Sequence, residues 1–364
     1  VVPSPIPPFA ALSPAILRPA LRFIVGFLLT LWTARLLAEP PSPGPLPKIL
    51  FDTDMETDCD DAGALGILHV LADQHECEIL ATVASVRDLN SVATIDAINT
   101  YYHRPRLPLG MVKGPGVIEK SKYAAFIAKG FPNRVKSADD IPEAAVVYRD
   151  ILEKAPDHSV TIVTVGYLTN LRNLLNLSGN DEHPGGRSLI QAKVAKWVCL
   201  GGNFRGHPAL DDLKLGNVNF QRDAASALDV IQHWPPSVPV VFVGREIGSV
   251  PSGLQVGTCL ATTPENNPVR MAYFYYFSGA LKDRHVADLV TVLYAVRGLR
   301  DYWDIHSGGS MDLQPDMTFT WKSQPDRHQS YLLKKLHEGK PNDHEIEAVL
   351  AELLTRPPTT HVTD

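Results

Sequence analysis

Short apolar runs alternate with segments of helical periodicity along almost the whole chain, and that alternation narrows the fold more than any single motif. Apolar runs cover Lys48 to Phe51, Ile79 to Ala84, Leu107 to Val112, Val160 to Val165, Trp197 to Leu200 and Val238 to Val243. Between them, Leu65, Leu68 and Leu71 recur at helical spacing, as do Val92, Ile95 and Ile98, and then Ala145, Tyr148 and Leu152. A continuous apolar run suits a strand buried on both faces. The expected fold is therefore α/β, a mostly parallel central sheet with helices on both faces. Sheets of this kind bind ligands outside the carboxyl ends of their strands, so polar residues just after each strand carry the most weight.

The N-terminus departs from this pattern. Arg18 and Arg22 precede an apolar run from Phe23 to Trp32, followed by small and polar residues around Ala38. About ten apolar residues are too few to cross a bilayer core of ~30 Å as a helix, and the cationic flank fits an export signal. Residues 1–38 are read as a signal peptide or N-terminal hydrophobic segment, residues 39–47 as a Pro-rich linker, and residues 48–364 as one catalytic domain. Localisation is then exported, periplasmic or secreted, with no stable membrane span once the signal is removed. The chain has 364 residues, 45% of them apolar, enough for a full core. Its 34 basic against 40 acidic residues give a net charge of −6. No dense basic stripe is present to track a phosphate backbone, so nucleic acid is not an expected partner. Cys59, Cys77, Cys199 and Cys259 are widely spaced, which excludes a zinc knuckle or a small disulfide scaffold.

The most informative stretch is ILFDTDMETDCDDAGAL, with six carboxylates between Asp52 and Asp61 at the junction of a strand and a helix. One or two acids suit the positive end of a helix dipole, and Asp60 or Asp61 is placed to be the N-cap. Six in ten residues repel one another unless something positive gathers them. Hard oxygen ligands converging on one point are what Ca²⁺ or Mg²⁺ requires.

These residues resemble the nucleoside hydrolase family, whose first strand ends in a DxD, a turn, a DD pair and a small residue opening the first helix. Here they are Asp52, Asp54, Asp60, Asp61 and Ala62, with a turn two residues longer than usual. The resemblance implies a Rossmann-like nucleoside hydrolase fold and a bound Ca²⁺. It implies that Asp54 binds calcium and acts as the catalytic base, that Asp61 binds calcium, and that Asp60 accepts a hydrogen bond from a ribose hydroxyl. Asp58 is an additional acid. TIVTVGYLTNL resembles the segment that donates a main-chain carbonyl to calcium, which falls on Val165; read alone, its Thr169 or Asn170 caps a helix. NVNFQRDAASAL resembles the ribose-binding segment, with Asn219 as a sugar contact and Asn217 where an acid is usual. RHVADLVTVLYAVRG resembles the segment whose aspartate completes the metal shell, here Asp288; read alone, that aspartate is an N-cap.

The implied reaction is hydrolysis of the N-glycosidic bond of a ribonucleoside, a small-molecule substrate, giving free base and ribose. Breaking that bond builds positive charge on the sugar, which nearby carboxylates stabilise. The family's histidine before the last aspartate is replaced by Ala287. His285 and Arg284 lie nearby, though among 13 histidines a chance neighbour is the simpler reading. Val86 stands where the family has an asparagine. Two alternatives share part of the pattern: a Mg²⁺-dependent phosphatase of the haloacid dehalogenase type, which also opens with DxD, and a non-catalytic exported sugar- or nucleoside-binding protein. The aromatic segment MAYFYYF suits core packing, a lid, a base pocket or an interface, and a homo-oligomer is compatible with it.

Overall fold

The computed structural model describes residues 45–56, 58–204, 217–249 and 252–359. The chain divides into two units, Val1–Pro45 and Leu46–Asp364. Nearly all of the first, and with it the signal and most of the linker, lies outside the described residues, as does most of the polar stretch from Asn203 to Leu215. Among the described residues, no helix is long and apolar enough to cross a membrane.

In Leu46–Asp364 the elements run β1 (Lys48–Thr53), α1 (Asp60–Asp73), β2 (Glu78–Ala84), α2 (Leu89–Tyr101), β3 (Leu109–Met111), α3 (Ala124–Gly130), α4 (Ala144–Lys154) and β4 (Val160–Thr164). They continue with α5 (Thr169–Leu175), α6 (Gly186–Lys193), β5 (Val194–Leu200), α7 (Val218–Arg222), α8 (Ala224–His233), β6 (Val240–Val243) and α9 (Arg245–Gly248). After β7 (Gln255–Val256) come α10 (Pro268–Tyr276), β8 (Arg284–His285) and α11 (Ala287–Arg297). The chain closes with β9 (Trp303–Leu313), β10 (Phe319–Ser323), β11 (Gln329–Lys334) and α12 (Asp343–Thr355).

The main sheet has nine strands in the order β10-β9-β11-β6-β5-β4-β1-β2-β3. Pairings from β3 across to β11 are parallel, and β9 pairs antiparallel with both β11 and β10. The expected mostly parallel sheet is thus present. The antiparallel C-terminal strands escaped the sequence reading because they are half-exposed and carry no continuous apolar run.

Alternation along each strand divides the interior into two cores. Ile49 and Phe51 of β1, Val163 of β4 and Val198 of β5 face one side, with Leu65 and Leu68 of α1, Ile95 of α2 and Leu293 of α11. Leu50, Ile162 and Trp197 face the other, with Tyr148 of α4, Leu171 of α5 and Val230 of α8. Both faces are covered, so the strands are apolar throughout. Helix α1 is buried on every side from Asp60 to Ala72. Its Gly63 and Gly66 leave room for α10: a Cβ there would lie 2.8 Å from Tyr273 Oη and 3.0 Å from Val269 Cγ2. Of the aromatic segment, Ala272 and Tyr273 are core and the other five residues are half-buried, with Tyr275 stacked on Phe126 at 4.6 Å.

From β1 the chain adds β2 and β3 on one side, then crosses back to add β4, β5 and β6 on the other. The switch point lies between β1 and β4, whose carboxyl ends are Thr53 and Thr164. A crevice opens where the two crossovers diverge.

Candidate active site

At that crevice the strand ends of β1, β2 and β4 are tied to one another. Val165 N–H donates to Asp52 O at 2.9 Å, Ser85 N–H to Thr53 O at 2.9 Å, and Tyr167 N–H to Ser85 Oγ at 3.0 Å. Only a glycine fits at position 166, because a Cβ there would lie 2.4 Å from the Asp54 nitrogen. Beyond Thr53 the chain turns through Met55, buried with φ +52°, a left-handed conformation unusual for a side chain of this size. The turn is held by Thr53 Oγ1, which donates to Asp61 Oδ1, and by Met55 N–H, which donates to the same oxygen at 3.1 Å.

Two acids of the loop face inward, away from the crevice. Asp52 is fully buried, accepting from Tyr148 Oη at 2.8 Å and from Asn170 Nδ2 at 3.1 Å. Burial pushes its pKa up to about 8 against these two hydrogen bonds. Glu56 is also buried, with both carboxyl oxygens unpartnered, and burial with the charges of Asp88, Glu119 and Asp61 pushes it up to about 9.

The remaining acids line a cavity of about 360 Å³, together with Val165, Leu200, Asn217, Asn219, Arg222, Arg245, Arg284, His285 and Asp288. All seven residues singled out in the sequence, Asp54, Asp60, Asp61, Val165, Asn217, Asn219 and Asp288, meet here. Carboxylate oxygens of Asp60, Asp61 and Asp288 lie within 4.8 Å of one another, all three side chains buried. Burial raises the pKa of each, and the negative charges of its neighbours add to this for Asp60, pushed up to about 8, and for Asp288. Asp54 is raised by burial and by Asp61, against whose carboxyl it is hydrogen-bonded. Four buried carboxyls in one cavity cannot all ionise without a positive charge among them. An all-oxygen, anionic donor set is the chemistry that a hard divalent cation selects. The residues present fit such an ion.

The helix-cap alternatives do not hold. Cys59 is the N-cap of α1, with Asp60 and Asp61 in its first turn. Asp288 lies in the first turn of α11, behind Val286 as N-cap, and its N–H donates to Asp60 Oδ2 at 3.4 Å. Leu168 precedes α5 as N-cap, while Thr169 bonds Asp223 at 2.6 Å and Asn170 reaches β1. Asn217 does cap a helix, accepting from Asn219 N–H at 2.7 Å. Asn219 Nδ2 in turn donates to the Val165 carbonyl at 2.7 Å, which joins the sugar-contact candidate to the metal-ligand candidate.

Sequence reasoning left Asp58 without a role and discounted its basic neighbours. Arg284 Nε donates to both Asp58 carboxylate oxygens at 2.7 Å, and His285 Nε2 lies 3.0 Å from Asp58 Oδ2 and 3.8 Å from Asp60 Oδ2. Burial opposes the Asp58 charge, but the bonds from His285 and Arg284 prevail and hold its pKa at about 2. His285 is shifted up: burial works against its charged form, and Asp60 and Asp58 overcome it. Arg222, inside the NVNFQRDAASAL segment, and Arg245 were given no role, since a single arginine at the end of a short helix carries no periodic signal.

No protein-family model matches the chain, and no curated protein matches it. Solved structures do. A plant nucleoside hydrolase, PpNRh1, aligns over 86% of this chain and 100% of its own, with TM-score 0.62 and 17% identity. A purine-preferring ribonucleoside hydrolase from Gardnerella vaginalis aligns over 85% and 98%, with TM-score 0.60 and 15% identity. The type III effector XopQ, solved with adenosine diphosphate ribose, aligns over 86% and 93%, with TM-score 0.57 and 14% identity. Identities this low speak to architecture alone, and in architecture this chain has the nucleoside hydrolase fold.

Proposed function

We propose that the protein hydrolyses the N-glycosidic bond of a ribonucleoside with Ca²⁺ as its metal, at the cavity between the β1 and β4 ends. The observation that carries this reading is the convergence of four buried carboxyl groups, Asp54, Asp60, Asp61 and Asp288, in one cavity with the amides Asn217 and Asn219. Asp54, Asp61 and Asp288, with the Val165 carbonyl, would hold the ion. A carbonyl oxygen has two lone pairs, so the bond from Asn219 leaves one free for it. A bound divalent cation supplies the positive charge that lets these carboxyls ionise together, and it lowers the pKa of a nearby water.

Asp54 then takes a proton from the attacking water as general base. Asp60 accepts a hydrogen bond from a ribose hydroxyl, and Asn217 and Asn219 orient the sugar. The carboxylates stabilise the positive charge that grows on the sugar as the bond to the base breaks. A site that hydrogen-bonds a hydroxyl discriminates against analogues lacking it, which favours ribo- over deoxyribonucleosides. His285, whose charged form Asp60 and Asp58 favour, lines the same cavity and would give its proton to the departing base. Export of the domain through residues 1–38 belongs to the same proposal and rests on the sequence of that segment.

Asp52 speaks against the phosphatase alternative, in which the first acid of the DxD must face the substrate; here it is buried and bonded to Tyr148 and Asn170. The test is release of free base and ribose from a nucleoside panel, with and without chelation, beside Asp54→Asn. Chelator-sensitive release lost in the variant supports the reading. A folded protein that binds calcium and nucleoside without turnover is the exported binder instead.

A further inference from the structure

Acids and bases line the cavity together. Arg284 and His285 sit among the acids, paired with Asp58. Asn217, Asn219, Arg222, Arg245 and Ser249, from α7 and its N-cap and from α9 and the residue after it, complete the polar lining. Arg222 is neutralised locally, bonding Glu119 and lying 3.4 Å from Tyr167 Oη. Arg245 is not. It is half-buried and lines the cavity, its backbone N–H is bound to Gly202 O, yet its guanidinium has no ion pair or hydrogen bond among the described residues.

The Arg245 charge bears on its buried neighbour Glu246, whose carboxyl burial pushes up to about 8; with no salt bridge or hydrogen bond of its own among the described residues, a half-buried guanidinium lining a ligand cavity is poised for an anion from the ligand, and its planar fork suits phosphate. A neutral nucleoside offers nothing to meet that charge. We infer that the substrate is a phosphorylated ribosyl compound, its ribose against the carboxylates and its phosphate against Arg245 and Ser249. The inference rests on the reading of the cavity as a ribosyl site, and it narrows the substrate from nucleosides to their phosphorylated forms.

Calorimetry separates binding from turnover: ribose, ribose 5-phosphate and ADP-ribose are titrated, with calcium present, into the wild type, Arg245→Met and Arg245→Lys. Either phosphorylated ligand should bind the wild type at least about tenfold tighter than ribose, the size of one charge-assisted contact. The preference should vanish in Arg245→Met and return in part in Arg245→Lys, and the two phosphorylated ligands distinguish a monoester site from a pyrophosphate site. Equal binding of all three ligands overturns the inference. Base release from nucleosides with no gain from a 5′-phosphate overturns it and leaves the hydrolase standing. Phosphate-selective binding without base release from any substrate upholds it and removes the hydrolase reading.

Discussion

Replacing Gly166 with alanine tests whether the approach of β1 to β4 is what builds the site. The added Cβ would lie 2.4 Å from the Asp54 nitrogen, 2.4 Å from Ser85 Oγ and 2.9 Å from the Thr53 carbonyl carbon. Ordinary contact begins at 3.4 Å. The strand ends must therefore part by about 1 Å, and overpacking of this kind costs about 1–3 kcal/mol. Val165 and Asp54 move with them, and a misplacement of about 1 Å at reacting groups lowers the rate on the order of 10²-fold. Urea melts give the stability loss, and base release at a temperature where the variant is fully folded gives the rate. Gly114→Ala, where a Cβ meets nothing within 4 Å, is the control and should match the wild type. Adding Ser85→Gly to Gly166→Ala removes the hydroxyl contact and leaves the backbone one, so rescue should be partial. Wild-type stability and rate in Gly166→Ala would refute the close approach as the origin of the site; complete rescue by Ser85→Gly would show that the Asp54 backbone was not the obstacle.

The raised carboxyls set a direction for pH dependence. Asp54, Asp60, Asp61 and Asp288 hold protons more tightly folded than unfolded, so without metal their stabilisation is present below about pH 4 and is lost as pH rises through the folded pKa, about 8 for Asp60. Calcium at 100 times its Kd should restore about 2.7 kcal/mol near pH 8 and progressively less toward pH 5, where protonated carboxyls bind it poorly. Thermal melts with and without chelator check this; a chelator-independent Tm at pH 8 would count against a metal here. Asp58→Asn removes the carboxylate that Arg284 and His285 share. The His285 pKa should fall, followed by NMR titration, with a stability loss of about 1–3 kcal/mol in melts; an unmoved His285 titration would mean that Asp60 alone sets it. Asn219→Ala frees the Val165 carbonyl and, under the proposed function, removes a sugar contact. It should raise KM for ribonucleosides about tenfold while calcium affinity, by calorimetry, changes little.

Local order decided the architecture. Apolar runs and helical stripes place β1 to β6 and their helices because strand and helix periodicities follow from backbone geometry alone, and a run such as Val160 to Val165 must be buried on both faces. The crowding of Asp52 to Asp61 marks the site, since like charges gather at one turn only for a reason. What sequence could not assign was the direction of each side chain. Asp52 and Glu56 turn inward, Asp54, Asp60 and Asp61 face the cavity, and Asp58 is held by Arg284. That sorting depends on strand register and on Met55 at positive φ, neither of which a row of acids reveals. Strands β9 to β11, half-exposed, surfaced only through pairing, β11 lying parallel to β6 and β9 antiparallel to both β11 and β10. Arg222 and Arg245 reach the cavity from the ends of two separate short helices, α7 and α9, and long-range contacts leave no local signature. The sequence alone determined the parallel part of the sheet and the crowding of carboxylates at its carboxyl edge; Arg222 and Arg245 join those acids in one cavity only once β5 and β6 are laid beside β4, because packing rather than spacing brings them there.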